Sequence, residues 1–359
     1  MRLVVVGAGI VGAAIASRAA RRATAVTVLD AGRSPGASNA TGSSFAWIGA
    51  WGQWPGGMMA LRGGALPQWH QLQDELAGVH VQWTGSLSWR DQPHTQPDVT
   101  RTDDGSEVLT AAEVAVVEVA VVEPNLREPP ARAVWHPGDG AVDPLAVTTA
   151  LLQSACGNGA QVRLGVRATG LRTRGTRVVG VETSVGFMPA DTVVVAAGTG
   201  VPRLCEPFGV PVPVTASAAV LLRFDAPRGL VKALIDGPSL EVRQNRSGQL
   251  LVPAACGTDV SEEALAGIAR RSAQKIRATF HHAADIRLDR ISVGQRPMPA
   301  DGAPIIGPIP GVQGLYLAVM HSGVTLAPLI GRLVVQELIG GVESSELVGC
   351  RPARFTTAS

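Results

Sequence analysis

The sequence has few cysteines and no strong charge of either sign. Its four cysteines, at positions 156, 205, 256 and 350, are far apart and form neither a CxxC pair nor a metal-ligand spacing. This spacing excludes a disulfide scaffold and predicts no metal site. The chain has 31 Lys and Arg residues and 29 Asp and Glu residues, which gives a net charge of +2. This charge is too small for a protein that binds nucleic acid through its phosphates. These absences favour a reduced, cytoplasmic setting.

The sequence also lacks an unbroken apolar run long enough to span a membrane. Its most apolar stretch, residues 315–339, is interrupted by His321, Pro328, Arg332 and Glu337, so we expect no membrane span and a soluble protein. A hydrophobic content of 46% excludes a disordered chain. The length of 359 residues is enough for two domains of ordinary size.

The chain begins with a pattern that is typical of a dinucleotide site. A β-branched run at 2–6 leads into the glycine motif G-x-G-x-x-G, and a helix and a second strand ending at Asp30 follow. The first glycine permits a tight turn, the second lets the backbone approach a pyrophosphate, and the third lets helix and strand pack closely. Free N–H groups at the helix start favour phosphate, and the acid favours ribose hydroxyls. The predicted contacts are Gly7, Gly9, Ile10, Val11, Gly12, Asp30 and Ala31.

The glycine motif alone does not separate NAD from FAD. An NAD enzyme usually continues with regularly alternating strands and helices, whereas here the second strand leads into "DAGRSPGASNATGSSFAWIGAW". A flavin extends beyond the pyrophosphate, and this segment is suited to cover it. We therefore expect FAD contacts from Ser38, Asn39, Ser43 and Ser44.

The rest of the chain predicts an α/β protein with a discontinuous Rossmann-like nucleotide domain and a mainly antiparallel-sheet substrate domain. Buried parallel strands are expected near the start, middle and end, while residues 212–295 alternate apolar and polar residues as antiparallel strands do. The predicted nucleotide domain comprises 1–45, 140–211 and 296–359. The predicted substrate domain comprises 46–139 and 212–295.

Several stretches together resemble the FAD-dependent amino acid oxidase family, which includes D-amino acid oxidase, glycine oxidase, sarcosine oxidase and D-amino acid dehydrogenase. The resemblance spans almost the whole length. Its carriers include "VVVGAGIVGAAIA", "GDGAVDPLAVTTALLQSA", "DTVVVAAGTGVPRL", "RPMPADGAPIIGPIP" and "GLYLAVMHSGVTLAPLIGRLV". It implies an oxidoreductase with non-covalent FAD that oxidises the C–N bond of an amino acid or related carboxylated amine to an imine. The hydride passes to flavin N5, and O2 or another acceptor reoxidises the flavin.

The resemblance also implies roles for individual residues. Arg296, in the Pro- and Gly-rich stretch 291–310 that we predict to be a rigid loop, would bind the substrate carboxylate. The alternative is that it pairs with an acid such as Asp301 and only tethers the loop. His321 would donate to the flavin, contact substrate or cap the last helix. Arg296 and His321 are the predicted catalytic residues. Backbone contacts to FAD are expected from Ala168, Ala197, Gly198, His321, Ser322, Gly323, Val324 and Thr325.

The sequence departs from the family in its substrate pocket. Its one tyrosine, Tyr316, lies in the final strand, whereas several members use a substrate-domain tyrosine to bind the carboxylate. The predicted pocket is therefore remodelled, with Trp47 and Trp51 as substrate contacts or, alternatively, as core residues. A flavin-binding subunit that needs a partner for catalysis remains the alternative function. Substrate, acceptor and oligomeric state stay open.

Overall fold

The computed structural model describes residues 1–22, 25–37, 39–49, 58–90, 112–130 and 132–356. The strands are β1 Arg2–Val6, β2 Ala25–Asp30, β3 Trp47–Ile48, β4 Ser86–Ser88, β5 Ala112–Ala115, β6 Arg132–His136, β7 Gly140–Ala141, β8 Gln161–Leu164, β9 Ala168–Arg174, β10 Arg177–Thr183, β11 Gly186–Pro189, β12 Thr192–Val195, β13 Val214–Asp225, β14 Leu234–Asp236, β15 Glu241–Gln244, β16 Leu250–Ala254, β17 Arg287–Pro299, β18 Ile305–Pro308 and β19 Leu315–Val319. The helices are α1 Ile10–Ala20, α2 Met59–Glu75, α3 Val116–Val122, α4 Pro144–Gly157, α5 Val201–Cys205, α6 Glu262–Thr279 and α7 Gly323–Gly340.

The first sheet is the expected nucleotide-type sheet. Its strand order is β18-β19-β12-β1-β2-β8, and all neighbours are parallel except β18 and β19. β-branched residues dominate the central strands because both sheet faces are covered, and Val193, Val194 and Val195 are fully buried. Helix α1 packs against α4 and α7, which completes one covering layer.

The second large sheet has eight strands in the order β17-β13-β16-β15-β14-β4-β6-β5. Its pairs are antiparallel except β14 with β4. Helix α6 presents Ile268, Ala269 and Ile276 to the apolar cluster of this sheet. The predicted fold class, an α/β nucleotide-binding unit joined to a mainly antiparallel unit, is confirmed. A separate antiparallel sheet of β9, β10 and β11 lies between β8 and β12 in the chain.

Helix α2 packs differently from the predicted division of the chain. We placed residues 46–139 with the substrate domain, but α2 contacts α7, and its buried Leu61, Trp69 and Leu72 belong to the same apolar cluster as α1. The segment joins the nucleotide-side core because its buried apolar residues pack against buried residues of α7. The other predicted boundaries stay predictions.

The Pro- and Gly-rich stretch 291–310 is not the rigid loop we predicted. Residues 291–299 form the second half of β17, and 305–308 form β18. Proline is tolerated in β17 because this strand lies at the edge of its sheet, where one row of N–H groups needs no partner. The loop prediction failed because the pairing with β13 is a long-range contact.

Helix α7 is the one described helix that is long and apolar enough to cross a membrane. It lies in the protein core, with 61% of its apolar window buried and with α1 and α2 packed on it. Its apolar composition is therefore explained by burial within the fold.

Candidate functional site

One large cavity of about 970 Å³ lies at the carboxyl ends of the parallel strands and reaches the eight-stranded sheet. This is where open α/β sheets bind ligands, and the volume is near the upper end of the roughly 300–1,000 Å³ found for small-molecule sites. Most predicted site residues line it: Gly7, Gly9, Ile10, Val11, Asp30, Ala31, Asn39, Ser43, Ser44, Trp47, Ala168, Ala197, Gly198, Arg296, His321, Ser322, Gly323, Val324 and Thr325. Ser38 and Trp51 lie outside the described residues.

The glycine turn after β1 has the close contacts that its sequence predicts. Gly7 has φ +112°, and a Cβ there would lie 2.4 Å from the Ala196 carbonyl oxygen. Gly12 does not line the cavity, which corrects its place among the predicted cofactor contacts. A Cβ on Gly12 would lie 2.0 Å from the Gly7 carbonyl oxygen, so its role is close packing of α1 against the turn.

The start of α1 offers N–H donors to the cavity. Gly9 is the N-cap and makes no side-chain cap, and the first-turn N–H groups of a helix have no partners within the helix. The Ile10 N–H donates to Thr41 Oγ1 at 3.3 Å. Thr41 also lines the cavity, and our sequence reasoning passed over it between the predicted Asn39 and Ser43.

Asp30 ends β2 beside the glycine turn. One carboxylate oxygen accepts from the Ala8 N–H and the other from the Gly32 N–H, both at 2.7 Å. These bonds fix the carboxylate at the cavity wall. Each oxygen keeps a second lone pair, so the predicted acceptance of ribose hydroxyls is geometrically possible.

The start of α7 presents a second set of N–H groups to the cavity. Ser322 is the N-cap without a side-chain cap, and Gly323, Val324 and Thr325 form the first turn. Thr325 connects this turn to two tryptophans: its hydroxyl donates to the Trp47 carbonyl at 3.0 Å, and its carbonyl accepts from Trp69 Nε1 at 2.9 Å. A helix start positioned in this way favours negative charge.

His321 lies immediately before this turn, on the cavity wall. Burial, and then the positive charge of Arg296, lower the pKa of its imidazole below the ordinary value. The ring is therefore neutral at pH 7. A neutral imidazole can both donate and accept a hydrogen bond.

Arg296 lies on β17 opposite Ser217 of β13. Its Nη2 donates to the Ser217 hydroxyl at 3.0 Å, whereas its Nε is buried without a hydrogen-bond partner. Within the described part of the chain, no carboxylate forms an ion pair with it. The alternative in which Arg296 tethers a loop through Asp301 is wrong, because Asp301 accepts from Arg354 Nε at 2.7 Å and from its Nη2 at 3.1 Å.

Trp47 lines the cavity with a fixed ring. Its Nε1 donates to Asp139 Oδ2 at 2.9 Å, and Phe45 meets it edge-on at a centroid distance of 6.4 Å. Its indole donor is therefore already used, which leaves apolar ring surface for a ligand. The tryptophan with a core-packing role is Trp69, which is fully buried.

Five cavity residues that sequence reasoning missed have ionisable side chains: Arg90, Arg167, Arg203, Asp236 and Glu241. Asp236 and Glu241 are cross-strand neighbours in the hairpin of β14 and β15, and Arg90 follows β4. Arg90 Nη2 donates to Asp236 Oδ2 at 2.7 Å. The hairpin sequence "LIDGPSLEV" shows two acids around a turn, but only the pairing of distant strands brings them to the cavity.

The fold and the cavity define a class of protein: a two-sheet enzyme with a dinucleotide site at the parallel strand ends and a substrate wall from the antiparallel sheet. A profile of the FAD dependent oxidoreductase family matches residues 2–337. The chain belongs to this family and is a flavoenzyme, which decides between NAD and FAD.

Individual relatives agree with this assignment. The chain is 27% identical to glycine oxidase of Pseudomonas aeruginosa over 368 residues, covering 94% of this chain and 95% of that enzyme. It is 34% identical to D-amino acid dehydrogenase of Cereibacter sphaeroides over 221 residues, covering 58% of this chain and 50% of that one. The structure of glycine oxidase from Geobacillus kaustophilus aligns with a TM-score of 0.83 and 22% identity, covering 99% and 98% of the two chains; this likeness shows the fold.

The residues present fit FAD. The glycine turn provides a close backbone approach, Asp30 provides acceptors at one end, and the first turn of α7 provides donors at the other. Of the four cysteines, Cys205, Cys256 and Cys350 are buried and Cys156 is exposed, and none lines the cavity. These positions agree with FAD held non-covalently.

Proposed function

We propose that this flavoenzyme oxidises the C–N bond of an amino acid or related carboxylated amine to an imine. The proposal extends to this chain the substrate type that its relatives' names carry, glycine in one and D-amino acids in another. The imine then leaves and is hydrolysed in water. We further propose a cytoplasmic location, since all four cysteines are free.

The observation that carries the proposal is the state of Arg296. A guanidinium has five N–H donors, and here one donates to a neutral hydroxyl while the buried Nε has no partner. An unpaired donor of this kind is costly, and a carboxylate from the cavity would satisfy it with a charge-assisted bond. A bidentate pair would also fix the orientation of the bound molecule.

The chain's own residues would hold and orient both molecules. The glycine turn and the start of α1 would bind the pyrophosphate of FAD, and the start of α7 would donate to the flavin ring system. When bound, FAD supplies the acceptor for the hydride that leaves the α-carbon. Arg296 would place that carbon, and neutral His321 would donate or accept one further hydrogen bond beside it.

The first experiment is to purify the chain and screen D-, L- and N-alkyl amino acids anaerobically. We expect a yellow protein whose flavin absorbance bleaches with at least one of them. Aerobic and dye-linked assays with that substrate then identify the electron acceptor. A yellow chain that bleaches with none of these amines contradicts the proposal.

The second experiment tests Arg296 directly. Arg296→Met should lower kcat/KM for the carboxylated substrate by about 100-fold, because a charge-assisted bond contributes about 1.5–3 kcal/mol. Arg290→Met is the matched control, since it removes the same charge from the same strand at an exposed position that does not line the cavity. FAD content should be equal in both variants. Equal kcat/KM in both variants would remove the carboxylate-binding role.

No observation on the described residues favours the alternative of a subunit that is inactive without a partner. That alternative depended on an exposed tryptophan-rich region, yet Trp69 is fully buried, and Trp47 borders the cavity with its indole N–H bound to Asp139. Bleaching of the purified chain by substrate, without any added protein, distinguishes the two functions.

A further inference from the structure

The acidic side of the cavity contains a carboxyl group with no role so far. Asp236 and Glu241 lie directly opposite each other on β14 and β15 and both border the cavity. Directly opposed residues of an antiparallel pair have Cβ atoms about 4.5–5.5 Å apart on one face. Asp236 is ionised and paired with Arg90 at 2.7 Å. The Glu241 carboxyl group, by contrast, has no hydrogen-bond or ion-pair partner among the described residues.

The charged groups around Glu241 come from several elements. The pKa of Glu241 is raised to about 7: burial is the largest cause, the negative charge of Asp236 acts in the same direction, and the positive charges of Arg90 and Arg296 act in the opposite direction. The remaining titratable group on this part of the wall is His321, whose pKa is lowered. Glu241 therefore changes charge near neutral pH, within electrostatic range of the arginine that faces the substrate.

This arrangement matches a zwitterion. An amino acid at neutral pH carries an ammonium group, and a hydride leaves its α-carbon only when the nitrogen lone pair is free. We propose that Glu241 binds the substrate ammonium and accepts its proton, while Arg296 binds the carboxylate. This inference rests on the proposed function and names the residue that completes it.

The proton transfer balances without another reactant. One N–H bond of the ammonium breaks, an O–H bond forms on the Glu241 carboxylate, and the electron pair stays on nitrogen. The neutral amine is the form from which bound FAD would accept a hydride, because the free lone pair can then form the C=N bond. Glu241 returns its proton to water after the product leaves. Asp236 and Arg90 are positioning residues, because they act on the charge of Glu241.

A binding experiment tests the charge of Glu241 without turnover. Acetate has a carboxylate and no amine, so it should bind at Arg296 and be repelled by ionised Glu241. We expect acetate affinity, followed by the flavin absorbance of the holoenzyme, to rise about fivefold from pH 8 to pH 6, as expected when a group with a pKa of about 7 is coupled to binding by about one pKa unit. In Glu241→Gln the affinity should be flat across this range. Equal pH dependence in the two proteins would overturn the inference.

The pH dependence of turnover provides the second test, using the amino acid that bleaches the flavin fastest. In the wild type, kcat/KM should rise as pH increases through about 7, because ionised Glu241 is the active form. In Glu241→Gln this limb should vanish, and activity at pH 7 should fall about 100-fold, as expected for loss of a general base. Activity should then climb toward the pKa of the free amine.

Two neighbouring variants give shifts that a merely structural role would not produce. Asp236→Asn removes a like charge and frees Arg90, so the rise of kcat/KM with pH should move to lower pH. Arg90→Met removes a charge that favours ionised Glu241, so the rise of kcat/KM with pH should move to higher pH. These variants also keep the inference testable should Glu241→Gln fail to fold. An enzyme that bleaches with no amine overturns the proposed function and this inference together. An active enzyme whose limb stays in place in all three variants overturns the inference alone.

Discussion

Glu337 makes a buried polar contact whose energetic contribution we predict from the structure. It lies near the end of α7, where its carboxylate accepts from the Arg351 guanidinium, from the Tyr316 hydroxyl and from the Ser344 N–H at 2.8 Å. The Glu337 side chain is 8% exposed and that of Arg351 is 20% exposed. The contact joins the last helix and the last strand to the C-terminal segment that follows them.

Glu337→Gln should destabilise the protein by about 2–3 kcal/mol. Removing one partner of a fully buried ion pair costs about 3–5 kcal/mol, and the partial exposure of Arg351 places this pair below that range. With a urea dependence of about 3 kcal/mol per M, the unfolding midpoint should fall by roughly 1 M. Tyr316→Phe, which removes one hydrogen bond and no charge, is the matched control and should cost about 1 kcal/mol.

The difference in unfolding free energy between the wild type and Glu337→Gln should depend on pH with a definite sign. Burial raises the pKa of Glu337, but the hydrogen bonds from Arg351 and Tyr316 outweigh burial, so the net shift is downward. The ion pair therefore stabilises the fold above the ordinary glutamate pKa, and this contribution is lost as pH falls through the lowered value. Urea unfolding by circular dichroism at pH 7 and pH 4 measures it. A midpoint equal to that of Tyr316→Phe at pH 7 would refute the reasoning.

Three further predictions concern the site and its support. Gly12→Ala should abolish FAD binding, because its Cβ would lie 2.0 Å from a carbonyl oxygen, whereas Gly63→Ala, with nothing within 4 Å, should retain FAD; absorbance at the flavin band decides. Thr325→Val leaves the Trp47 carbonyl without its donor, so FAD should dissociate about tenfold faster, and Thr325→Ser should behave as wild type. Burial raises the pKa of Glu123 to about 7, so this contribution to stability falls as pH rises from about 4 to 7. Glu123→Gln should be more stable than wild type at pH 8 by about 3 kcal/mol and equal to it at pH 4; urea curves that differ equally at both pH values would contradict this.

The nucleotide side of the cavity was accessible from the sequence because its determinants are local. A β-branched strand, a tight glycine turn and a helix start follow one another within 20 residues, and Asp30 ends the next strand. Each of these features is set by backbone conformation or by nearest neighbours in the chain. The predicted residues at the start of α7 were found for the same reason.

The substrate side was less accessible because it depends on contacts between distant segments. The conformation of 291–299 is imposed by pairing with 214–222, which overrides the turn preference of proline and glycine. The acidic wall needs β14 to pair with β15 on one side and with β4, some 150 residues earlier in the chain, on the other. No local pattern around Asp236 or Glu241 indicates a cavity.

The long pairing of β13 with β17 has a consequence for how this enzyme changes its preferences. Arg296 lies on an arm of two extended strands, whereas Asp236 and Glu241 lie on a short hairpin separated from that arm by β16. A library of variants confined to residues 234–244 would therefore change the contacts to the amine end of a ligand and leave the Arg296 contact to its carboxylate unchanged. Selectivity for the amine group can therefore change through β14 and β15 without any change in β13 and β17.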